Sequence, residues 1–130
     1  MPTALELTSA ERQSYIEVLR RRMALLDRPL TSEEASEREQ LLAQARSAAR
    51  EIKTRFGARR VILFGSLAHG AWFRPDSDVD LAVEGLEGEA YWQAWRLAEQ
   101  VITDRRVDLI DVDTASPSLR RTIEHRGIEL

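Results

Sequence analysis

Residues 62–83 read ILFGSLAHGAWFRPDSDVDLAV. An apolar, β-branched run ends at a glycine-serine pair, a loop follows, and two aspartates one residue apart open a second apolar run. VILF, cut off by Gly65, has the form of a short buried strand, and DVDLAV that of another. Side chains alternate faces along a strand, so Asp78 and Asp80 fall on one face with Cα atoms roughly 7 Å apart. Two carboxylates so placed repel each other. A divalent cation between them removes the conflict, and oxygen-only ligation suits magnesium or manganese.

Downstream, EAYWQAWRLAEQVI places Tyr91, Ala94, Trp95, Ala98, Val101 and Ile102 on one side of a helix. Its tryptophans are expected to serve packing. VDLIDV at 107–112 is a third strand carrying Asp108 between Val107 and Leu109, where an acid is costly without compensation. If the second and third strands are neighbours, Asp80 and Asp108 can reach a common ion. Three acids around paired cations about 3.5–4 Å apart suit phosphoryl or nucleotidyl transfer. Asp111 and Asp113 are competitors, ranked lower because Asp108 is embedded in the strand. Ser116 and Pro117 fit the N-cap and first position of a short helix that stops at Gly127, where His125 in the last turn suits the helix C-terminus. An edge strand at GIEL is weakly signalled.

Upstream lie two capping boxes, Thr8 with Glu11 and Thr31 with Glu34. The first opens a helix ending before Pro29. The second opens a longer helix whose Leu41, Ala45, Ala48, Ile52 and Phe56 form a stripe ended by Gly57. The expected architecture is α+β: a small mixed β-sheet with flanking helices over 58–130, preceded by an N-terminal helical hairpin at 1–57 packed on the same domain.

Gly65 and Ser66 supply a phosphate seat. Glycine lets backbone approach a ligand, SLAHGA is expected to begin a short helix with free N–H groups, and the serine adds a hydroxyl. Ser-His-Asp hydrolysis is disfavoured because no G-x-S-x-G turn surrounds Ser66.

The 130 residues fit one domain, and with no cysteine the chain has neither disulfides nor thiolate ligands. Residues 1–60 hold 12 Lys or Arg against 9 Asp or Glu, and residues 61–130 hold 7 against 13. The acidic half carries the motif, so no direct nucleic-acid binding is expected. Neither a membrane-length apolar run nor a signal-peptide layout is present, and a cytoplasmic location is expected.

GSLAHGAWFRPDSDVDLAV followed by VDLI resembles the nucleotidyltransferase superfamily typified by DNA polymerase beta, and most of all its minimal nucleotidyltransferase (MNT) antitoxin branch. The resemblance covers about residues 58–130. It implies that Gly65 and Ser66 bind nucleotide phosphates, that Asp78 and Asp80 hold magnesium, two ions with manganese as an alternative, and that Asp108 completes the catalytic site. It further implies ATP or another NTP as donor, with AMP passing to a tyrosine hydroxyl of a HEPN-domain RNase toxin. Eleven residues separate Ser66 from Asp78, one more than is common in the family. His69 stands where an arginine is common, with Arg74 a substitute. Two other functions stay open, a module that neutralises its partner by covering it and an enzyme acting on a small molecule, as does homodimerisation through the hairpin.

Overall fold

The computed structural model describes residues 29–130 except 71, 72 and 75. The first helix of the expected hairpin therefore lies outside the described residues.

The second helix, α1, spans Ser32–Phe56. It starts where the capping box requires: the Thr31 hydroxyl accepts from the Glu34 amide at 3.1 Å, and the Glu34 carboxylate accepts from the Thr31 amide at 3.0 Å. Gly57, left-handed at φ 73°, ends it. Strand β1 (Arg60–Phe64) follows, then β2 (Val79–Glu84), α2 (Glu89–Val101), β3 (Val107–Asp111), a 3₁₀ turn at Val112–Thr114, α3 (Pro117–Arg126) and β4 (Ile128–Glu129). The weakly signalled edge strand is thus present. Ser116 caps α3 by accepting from the Leu119 amide, with Pro117 in its first turn. Gly127 is required after α3 by space, since a Cβ there would overlap the Ile123 carbonyl oxygen and the Ile62 side chain.

The four strands form one mixed sheet in the order β3-β2-β1-β4. β1 runs antiparallel to β2 and β4, while β2 and β3, joined through α2, run parallel. Alternation assigns the strand residues to two faces. Val61, Leu63, Val79, Leu81, Val83, Val107 and Leu109 join Leu41, Ala45, Ala48 and Ile52 of α1 and Ala94, Leu97 and Ala98 of α2 in the main core. Ile62, Phe64 and Ala82 face the other way and pack with Val112 and Ile123 under α3. With only ten residues, about 15 Å of helix, α3 covers part of this second face. Asp78, Asp80 and Asp108 are each half-buried.

One expectation needs correction. Trp95 is half-buried, but Trp92 is 57% exposed. It falls beside the stripe that carries Tyr91, Ala94 and Ala98, and stacks on Trp95 with ring centroids 5.7 Å apart.

Candidate functional site

The register of the parallel pair decides the site. Asp80 is the partner of Asp108 across β2 and β3, and registered residues of adjacent strands point to the same face. Both belong to the face opposite α1 and α2, and Asp78, two residues before Asp80, shares its alternation. Asp111 has the opposite parity, and its carboxylate accepts from the Asp113 amide at 3.0 Å, capping the 3₁₀ turn. Asp113 lies 4.0 Å from the Arg59 guanidinium. The two competitors are engaged in local structure.

Asp80 is the centre of the group. It is half-buried, and its carboxyl is held above the usual aspartate range first by burial, then by the negative charges of Asp108 and Asp78. The charges of two further carboxylates therefore reach Asp80 across the strand pair. Asp108 pairs loosely with Arg106, Nε to Oδ1 3.6 Å, with its side chain one-third exposed. Among the described residues, no three acidic or imidazole groups already gather as ligands around one point. The donor set nevertheless fits a hard divalent cation: all its atoms are carboxylate oxygens, and their mutual repulsion at Asp80 is what positive charge would relieve.

Gly65 meets this cluster from β1. Its φ is 77°, in the left-handed region, and a Cβ there would overlap the Asp80 carboxylate. The glycine is needed twice, for the turn and for the close approach of the acid. The pair expected to seat phosphate and the acid expected to hold metal are thus in direct contact.

Among the described residues, no α-helix follows Gly65 directly. Residues 66–68 form tight turns, with Ala68 N–H bonded to the Gly65 carbonyl and His69 N–H to the Ser66 carbonyl, each at 3.2 Å. The physical reason lies in α1. Arg38 Nε donates to the Leu67 carbonyl at 3.1 Å and its Nη2 to the Ala68 carbonyl at 3.3 Å, taking acceptors that a continuing helix would use. His69 is half-buried at the end of this turn. The Arg74 guanidinium donates to the Phe73 carbonyl at 2.5 Å.

A second arginine orders the approach to Asp78. Arg105 Nη1 donates to the carbonyls of Arg74 at 3.2 Å and Ser77 at 3.0 Å, its Nη2 pairs with Glu37 of α1 at 3.1 Å, and its guanidinium lies over the Phe73 ring, 5.3 Å from the centroid. Sequence reasoning missed Arg38 and Arg105. Both are arginines in an arginine-rich chain, and nothing in their local pattern marks them out. Beside Asp108, a groove of about 310 Å³ is lined by Trp95, Glu99, Thr103, Arg105 and Arg106 among others.

Residues 47–130 match the family described as polymerase beta, nucleotidyltransferase. Among solved structures, a candidate minimal nucleotidyltransferase is 32% identical, with a TM-score of 0.60 over 72% of this chain and 95% of that one. A toxin-antitoxin crystallised with AMP-PNP is 26% identical, with a TM-score of 0.53 over 64% of this chain and 69% of that one. A protein from Shewanella oneidensis, 21% identical with a TM-score of 0.50 over 66% of this chain and 68% of that one, shares the fold. No curated protein matches. Among the described residues, no helix is long and apolar enough to cross a membrane.

Proposed function

Because the chain belongs to the polymerase beta nucleotidyltransferase family, we propose that it is the antitoxin of a toxin-antitoxin pair and transfers AMP from ATP to a tyrosine hydroxyl of a HEPN-type RNase. The observation that carries the chemistry is the convergence at Asp80, whose carboxylate lies against Gly65 and feels the charges of Asp78 and Asp108. The AMP-PNP-bound toxin-antitoxin among the similar structures supports both the donor and the kind of partner.

Each residue has a distinct task. Gly65 and Ser66 present backbone and hydroxyl to the phosphates. Asp78, Asp80 and Asp108 hold magnesium, which, when bound, would offset the charge of the triphosphate and of the carboxylates together. Asp108, on the outer strand beside the open groove, faces the acceptor and draws the proton from the incoming hydroxyl. The acceptor oxygen forms a bond to the α-phosphorus as the α–β bridging bond breaks, and pyrophosphate leaves in line.

The test is incubation of the chain with a HEPN-type RNase, magnesium and ATP labelled at the α-phosphate. Label is expected on a tyrosine of the RNase and to fall at least about a hundredfold with Asp80→Asn, which keeps the shape but lowers the charge on which the site depends. Undiminished transfer by that variant would overturn the assignment.

A further inference from the structure

Arg38 lies on α1, before the segment that matches the family. It nevertheless reaches the proposed phosphate seat with two of its nitrogens, at Leu67 and Ala68. Those two carbonyls belong to peptide units whose N–H groups, on Ala68 and His69, are themselves bonded to Gly65 and Ser66. Each unit is therefore fixed at both ends and cannot flip without breaking two bonds. The N–H of the half-buried Ser66 takes no part in these turn bonds, whereas Leu67 beside it is fully buried and anchors the turn in the core. Gly70 closes the wrap: a Cβ built there would stand 3.5 Å from Arg38 Cζ, so the turn curls around the guanidinium.

We propose that Arg38 is a positioning residue for the nucleotide, fixing the Gly65–His69 turn in the form that receives a triphosphate; this rests on the phosphate-seating role given to the turn above. Its requirement is geometric. A planar guanidinium spans two neighbouring carbonyls at once, whereas an ammonium offers the same charge from a single point. Placed behind the loop, the charge also favours phosphate on the other side, but a lysine would supply that equally.

The experiment uses the full chain, magnesium and a fluorescent ATP analogue, comparing wild type with Arg38→Ala and Arg38→Lys, together with hydrogen exchange of the amides at 66–69. Both variants are expected to bind the analogue about tenfold or more weakly, on the scale of hydrogen bonds lost from a charged donor. The Ala68 and His69 amides should exchange faster in both, while those of α2 exchange as in wild type. In the transfer assay KM for ATP should rise with kcat held within about twofold, a split that general loss of folded protein would not give. Binding by Arg38→Lys equal to wild type would show that charge suffices and overturn the proposal, as would unchanged binding and exchange in Arg38→Ala. A wild-type chain that does not bind the analogue would sink the nucleotidyltransferase assignment and this inference with it, whereas failure of the variants alone to differ sinks only the inference.

Discussion

At Gly65 two demands meet on one atom that the residue lacks. The left-handed φ of 77° costs a side-chain-bearing residue about 1–2 kcal/mol, and the overlap with the Asp80 carboxylate adds to it. Gly65→Ala is expected to destabilise the fold by roughly 2–3 kcal/mol, read as a lower midpoint in urea unfolding. The displaced carboxylate should also abolish transfer. An alanine variant of wild-type stability would show that the turn and the acid are not in the contact described. By contrast, the positive-φ Gly57 has open space around it, so its substitution carries the conformational cost alone.

Between elements, α1 does more than cover the sheet. Neighbouring residues Glu37 and Arg38 reach the two loops that border the acids: Arg38 directly, and Glu37 through Arg105. Arg105 is the more buried of the two charge partners, with its side chain 12% exposed against 50% for Glu37. Its weight therefore lies less in the ion pair, half of which is open to solvent screening, than in the two loop carbonyls and the Phe73 ring. Arg105→Ala is expected to cost about 2–3 kcal/mol by leaving those carbonyls unsatisfied, and to slow transfer by loosening the entry to Asp78. Thermal unfolding and initial rates measured together check this; Arg105→Lys should recover little of either. At the edge of the sheet, α2 acts similarly on β3. Trp95 Nε1 donates to the Val107 carbonyl at 2.8 Å and the Tyr91 hydroxyl to the Leu109 carbonyl, so the edge strand carrying Asp108 is covered.

For the whole molecule, the acid cluster is a stability cost accepted in exchange for a charged site. Burial and two like charges hold the Asp80 carboxyl above its ordinary range, so over that interval the native state keeps a proton that the unfolded chain has lost. Stability falls as pH rises through the interval, and the penalty is complete above it. Glu84 works in the opposite sense. Its hydrogen bond from Arg60 holds it low, against an opposing effect of burial, and its contribution is present above the usual carboxylate range and lost as pH falls. Asp80→Asn should therefore raise the melting temperature near neutral pH by about 2–5 °C, a modest figure because the group is half-exposed and screened. The gain should shrink as the pH drops below the carboxylate range, and magnesium should raise the melting temperature of wild type more than that of the variant. A variant that melts lower than wild type at neutral pH would contradict the repulsion described.

Much of this was written in local pattern. Thr31 and Glu34 set where α1 begins, Gly57 where it ends, and Ser116 with Pro117 the start of α3, because caps and stops act within a turn of the chain. Period-two alternation likewise put Asp78 and Asp80 on one face before any strand was paired. What local pattern cannot hold is register and reach. Only the parallel pairing of β2 with β3 places Asp108 opposite Asp80, and only the packing of α1 brings Arg38 and Glu37 to loops some thirty residues and more away. A long, flexible arginine can bond any carbonyl within its radius, so its partner is chosen by the folded arrangement and leaves no mark on its sequence neighbours. The chain thus determined its own elements and its candidate acids; tertiary structure decided that those acids share one face, and which side chains hold the turn beside them.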